Sequence, residues 1–141
     1  MVGRGSVMAV MVTAAIAASS PAVADGALAV GSTANVVKDG IAIGTAINYE
    51  SGDAALEAAL KRCSNYKPAP KAAAQCRSVG TFKNECYAVS FDPKEGTPGA
   101  GWAIAPTKEL AEERALAYCQ VTAGEDRRDF CKIEESKCDG N

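Results

Sequence analysis

Ile41, Ile43, Thr45 and Ile47 alternate with Ala42, Gly44 and Ala46, which predicts a β-strand with one branched face and one face of small side chains. A helix can approach closely on the small face. Before it, Ala27-Leu28-Ala29-Val30 reads as a strand, followed by a turn-rich stretch that ends in Lys38-Asp39-Gly40. After it, Ser51 stands as an N-cap and Asp53 sits in the first turn of a helix that runs to about Ser64. Leu56, Ala59, Leu60 and Cys63 share the expected inner face, and Glu57 with Lys61 make an i,i+4 pair on the outer one. A loop through Pro68 and Pro70 leads to a strand from Cys76 to Phe82, and Lys83-Asn84 forms a turn.

The second half repeats this order. Tyr87 to Phe91 is a strand, Asp92 to Gly99 a Pro- and Gly-rich loop, and a further strand passes through Trp102 and Ile104. Thr107 caps a helix with Ala111, Ala115, Tyr118 and Cys119 on its inner face, and Phe130 to Glu134 closes the pattern as a strand. Sliding the first half by 56 residues lays Ser51 on Thr107, Asp53 on Glu109 and Cys63 on Cys119. The expected architecture is therefore α+β: two pseudo-twofold related β-β-α-β halves, about 26–85 and 86–138, with antiparallel sheet.

The six cysteines fit the same pattern. Cys63, Cys76 and Cys86 recur as Cys119, Cys131 and Cys138 with offsets of 56, 55 and 52 residues. The economical pairing joins each helix end to the next strand, Cys63 with Cys76 and Cys119 with Cys131, leaving Cys86 to meet Cys138 near the pseudo-twofold axis. A cross-strand pair within each half also respects the symmetry.

At the N-terminus, Arg4 precedes an apolar run from Ser6 to Ala18 that is too short to span a bilayer, then Ser19-Ser20-Pro21 and the triplet Ala22-Val23-Ala24. Residues 1–24 thus read as a cleaved export signal and 25–141 as a single duplicated domain, periplasmic or secreted, with no membrane insertion after cleavage. The 117 remaining residues carry 14 basic and 17 acidic side chains, a net charge of −3 that offers no footprint for nucleic acid.

The strand, Gly-rich strand and Ala-rich helix ending in Cys, followed by Cys76-x5-Phe82-x-Asn84-x-Cys86-x-Ala88, resemble the bacterial domain-of-unknown-function family numbered 4189 over about Gly26 to Cys138. The resemblance implies an exported, Ala-rich duplicated fold and no particular activity. Sliding by 56 also puts Ala46 in the place of Trp102, so any aromatic surface of the family's Gly/Trp-rich strands is confined to the second half.

Histidine is absent, which removes Ser-His and Cys-His pairs, His-ligated metals and imidazole acid/base work. No Cys-x-x-Cys marks a redox or zinc site. The acidic neighbours Glu112-Glu113, Glu125-Asp126 and Glu134-Glu135 diverge on a regular helix or strand, and the Asp92-Pro93-Lys94-Glu95-Gly96 loop lacks an alternating calcium pattern. No catalytic, metal or cofactor residue is expected. Trp102, Tyr87 and Asp92 are the candidate partner-binding residues, Trp102 as an anchor beside the loop from Asp92 to Gly101. The leading functional reading is an exported, disulfide-rich, noncatalytic binding module for an unknown protein or cell-wall glycan, such as an inhibitor or envelope-associated protein. A small histidine-free hydrolase using carboxylates and a structural or stress-related envelope protein are the alternatives.

Overall fold

Large and small side chains alternate along the strands, and this alternation builds the layers. The computed structural model describes residues 25–140; the expected leader and Asn141 lie outside them. In chain order come β1 (Asp25–Ser32), the short helix α1 (Val36–Asp39), β2 (Ile41–Tyr49), α2 (Gly52–Ser64), the one-turn α3 (Pro70–Ala73) and β3 (Arg77–Lys83). They are followed by β4 (Cys86–Phe91), β5 (Ala100–Ala105), α4 (Lys108–Ala123), a 3-10 turn (Arg128–Phe130) and β6 (Lys132–Cys138).

Each half folds into its own antiparallel three-stranded sheet, ordered β2-β1-β3 and β5-β4-β6, with the first strand of the half at the centre. Leu28, Val30 and Phe82 of the first sheet form one apolar cluster with Tyr87 and Val89 of the second, joined by Ile41, Ile43, Ile47, Phe91, Trp102 and Ile104. The opposite faces are made of small residues. Ala27, Ala29, Ala42 and Ala46 pack against Ala55, Ala59 and Cys63 of α2, and Ala88 and Ala105 pack against Ala111 and Ala115 of α4. The layers are thus helix, sheet, sheet, helix.

Two glycines bring the helices in. A methyl group on Gly44 would overlap the carbonyl oxygen of Ala59 and the nitrogen of Cys63, and one on Gly101 would overlap those of Ala115 and Cys119. Ser90 uses the same close approach to donate to the Ala115 carbonyl at 2.6 Å. Ser51 and Thr107 cap α2 and α4 as expected, accepting from Ala54 N and Leu110 N at 3.2 Å each.

Several local expectations change. Ala55 is fully buried on α2 while Leu56 and Leu60 are only half-buried, and Tyr118 is exposed on α4 while Ala123 is buried, because the near-contact at the glycines leaves room only for methyl groups. Phe130 lies in the 3-10 turn, half exposed, where its ring lies 4.2 Å from the Arg127 guanidinium, and β6 starts later, at Lys132. The stretches read as turn and loop contain α1 and α3.

The disulfides are Cys63–Cys76, Cys119–Cys131 and Cys86–Cys138. The first two tie each long helix to the strand after it, in equivalent places. The third joins Cys86 to Cys138 as expected, but within the second sheet and not on an axis between the halves. Cys86 opens β4 and Cys138 closes β6, and they face each other across one sheet, so they are not each other's counterparts in the two halves.

The halves are tied together by the C-terminal segment. Asp139, 4 % exposed, accepts from the backbone nitrogens of Asn48 (2.9 Å) and Asn84 (3.3 Å), both of which have positive φ, and Gly140 N donates back to Asn48 Oδ1 at 3.0 Å. Hydrogen bonds to a charged acceptor contribute about 1.5–3 kcal/mol, and a single substitution here loses two of them. Asp139→Ala is expected to lower unfolding free energy by about 3 kcal/mol in a denaturant titration, the lower end for two such bonds because the one from Asn84 N is long at 3.3 Å, and Asp139→Asn by less, because one acceptor oxygen survives.

Candidate functional site

The first and second sheets are irregular at the same place. Val89 pairs with Glu135 and Ser90 with Ile133, leaving Glu134 as an extra residue in β6. Likewise Leu28 pairs with Gly80 and Ala29 with Ser78, leaving Val79 extra in β3. Each bulged residue lies three positions after a bridged cysteine, Cys76 or Cys131. A bulge breaks strict up-down alternation and re-aims side chains. Here it brings Glu134 onto the same wall as Glu135, which regular strand geometry forbids.

That wall bounds a slot of about 210 Å³ between the sheets, lined by Ile41, Ile43 and Thr45 of β2, Val89 and Phe91 of β4, the two glutamates of β6, and Tyr66. The slot exists because of what stands at Thr45. Gly44 and Gly101 make equivalent helix contacts, so the counterpart of Trp102 is Thr45, one residue earlier than the constant offset gives; Ala46, the expected counterpart, faces α2 instead. On the β5 side the indole fills the space between the sheets. On the β2 side a threonine leaves it open.

The inner end of the slot is polar. The Tyr87 hydroxyl donates to Thr45 Oγ1 at 3.3 Å, and burial pushes this phenol up to about 12, with the neighbouring Glu135 charge adding to the effect. Outside the slot's lining, Arg62 of α2 donates to the Thr45 carbonyl and, at 3.3 Å, to the Tyr49 hydroxyl. Glu135 pairs with Lys137 at 2.6 Å, whereas no ion pair engages Glu134 among the described residues.

At its open end the slot runs into a shallower cleft of about 450 Å³ between α1 and the loop after β4, which shares Ile41, Tyr66 and Phe91 with it. Asp92 anchors that loop. Its side chain has no exposed surface, receives two bonds from Arg127 at 2.7 and 2.6 Å, and accepts from Lys94 N at 3.0 Å. These bonds hold the Asp92 carboxyl down at about 2. Because the folded value lies below the ordinary 3.8, the pair's stabilisation is complete above that pH and is lost as pH falls from 3.8 toward about 2. Comparing denaturation midpoints of wild type and Asp92→Asn should show wild type the more stable at neutral pH, with the gap closing across this acid window.

The three residues singled out from the sequence do not converge. Tyr87, 1 % exposed, ends the slot. Asp92 is occupied by Arg127 in the loop. Trp102 lies half-buried on β5, the edge of the second sheet opposite to β6, with its ring 4.9 Å from Tyr118 in an edge-on contact. Thr45 was not singled out from the sequence, and Glu134 with Glu135 was set aside there as a diverging pair. The pairing of Glu134 with Glu135 depends on a bulge that leaves no mark in the local pattern.

All six cysteines are bridged, which indicates an oxidising environment, and no free thiol remains among the described residues. Among those residues no group of three or more Asp, Glu, Cys or His side chains is set to hold a metal ion, and no helix is long and apolar enough to cross a membrane. A family model described as a domain of unknown function (DUF4189) matches residues 25–138. Comparison with curated proteins and with solved structures finds no match.

Proposed function

Because the chain belongs to the DUF4189 family, whose description assigns no activity, its own chemistry has to carry the reading: we propose that it is an exported, noncatalytic binding module whose slot receives a basic side chain from an extended segment of a partner protein. The observation that carries this is the acidic wall made by Glu134 and Glu135 over an apolar floor of Ile41, Ile43 and Phe91. A lysine or arginine stem suits the floor and its charged head suits the wall. The slot is smaller than the roughly 300–1,000 Å³ usual for small-molecule sites, which supports recognition of one side chain over enclosure of a substrate. Glycoside hydrolysis needs two carboxyls opposed across the bond, whereas these two share a wall. Export is supported by the three bridges and by the Ala22-Val23-Ala24 signal.

The test is calorimetric titration with short extended peptides that differ only in a central Lys, Arg or Gln. Binding is expected for the cationic peptides, weakening with salt and falling at least about tenfold (~1.4 kcal/mol) in Glu134→Gln/Glu135→Gln. Cosedimentation with purified peptidoglycan in the absence of peptide binding would replace the protein partner with cell-wall glycan. Turnover of peptidoglycan that vanishes on changing Glu135 would instead make the protein a carboxylate hydrolase.

A further inference from the structure

Oδ1 of Asp25 is buried and has no hydrogen-bond partner, and it is the only buried side-chain nitrogen or oxygen in that position among the described residues. A carboxylate oxygen withdrawn from water without a donor carries its desolvation penalty uncompensated. The neighbours do not relieve it. The sheet places Tyr49 on one side of Asp25 and Lys83 on the other, yet no ion pair joins Lys83 to Asp25 among the described residues. Gly52, at the start of α2, approaches the other oxygen, its Cβ position lying 3.8 Å from Oδ2.

Asp25 is also the first residue of β1 and follows the triplet Ala22-Val23-Ala24 directly. We infer that removal of residues 1–24 supplies the missing donor, the new α-ammonium of Asp25 pairing with its own orphaned carboxylate, so that leader cleavage completes the first strand electrostatically. The step is hydrolysis of the Ala24–Asp25 amide by an export-linked endopeptidase. Water adds to the carbonyl, Ala24 leaves as a carboxylate, and the nitrogen stays on Asp25. An amide nitrogen offers one neutral donor. An α-amino group, with an ordinary pKa near 7.7–8.0, offers three donors and a positive charge at neutral pH, and its own side chain is within reach in ordinary rotamers.

This rests on the export reading, which the first measurement tests separately. The full chain is expressed with its own leader in an exporting bacterium, and the product is sequenced from its N-terminus; a product that does not begin at Asp25 overturns the inference. Thermal melting then compares wild type, Asp25→Asn, a chain with Gly-Ser inserted between Ala24 and Asp25, and the combination. Asp25→Asn is expected to lower the melting temperature of the processed wild type, and to raise it or leave it unchanged in the extended chain, where the ammonium has been moved away. An equal loss in both backgrounds, or a Lys83→Gln change that reproduces the Asp25→Asn loss, overturns it. Should Asp25→Asn fail to accumulate, acetylation at neutral pH decides: the α-amino group of wild type is expected to react more slowly than that of the extended chain, and equal rates overturn the pairing.

Discussion

Reduction of the three disulfides is expected to unfold this protein without denaturant. Cys63–Cys76 and Cys119–Cys131 close loops with sequence separations of 13 and 12, and Cys86–Cys138 one of 52. By the chain-entropy relation the short loops contribute about 3 kcal/mol each and the long one about 4. Together that matches the whole net stability of about 5–15 kcal/mol typical of a domain. Little else compensates, because two of the three apolar clusters are built largely of alanine, whose methyl groups remove little area from water. Far-ultraviolet circular dichroism with and without a phosphine reductant measures it. Retention of the oxidised midpoint after complete reduction, verified by thiol counting, would show that the alanine layers suffice alone. Of the single bridges replaced by alanine pairs, Cys86–Cys138 should cost most, since its loop is longest.

The second large effect is expected from one methyl group. Gly44→Ala should lower unfolding free energy by at least about 3 kcal/mol, the upper end for overpacking, because the added Cβ meets backbone atoms of α2 and not a side chain that can rotate away. The Ala59 carbonyl and the Cys63 nitrogen can recede only if the whole helix lifts from the sheet, and Cys63 is held by its bridge to Cys76. Gly101→Ala should behave alike against Ala115 and Cys119. Gly52→Ala is the control: its new methyl meets only ordinary contacts near Thr81, so a gain of about 0.4–1 kcal/mol is expected from the stiffer unfolded chain. Equal costs at positions 44 and 52 in urea titrations would mean that α2 is not pressed onto the sheet.

Both effects were partly legible in the residues. The alternation of Ile41 to Ile47 names the small face, and Ser51 and Thr107 mark where the long helices begin, since a cap or a strand period is a relation between residues two to four apart. The inner face of α4 was harder. Tyr118 is larger and more apolar than Ala123, yet Ala123 is buried, because Gly101 and Ser90 bring the helix too near for a ring to fit between. Hydrophobicity ranks the side chains, while the distance between layers selects among them.

The site was less legible than the fold. Thr45 looks like an ordinary strand residue, and its meaning comes from Trp102, 57 positions later, filling the equivalent space on the other edge. Glu134 and Glu135 look like neighbours on opposite faces until the pairing of β4 with β6 shows one residue too many.

Short-range chemistry along the chain was enough to establish the α+β class, the capped helices, the alanine-lined strand faces and an oxidised cysteine framework, because each depends on residues a turn or less apart or on composition. Which face Glu134 takes, where Cys86 finds Cys138, and why a slot opens beside Thr45 were settled by packing between segments tens of residues apart. Register and interlayer spacing are collective properties of two sheets, and no local stretch of residues encodes them.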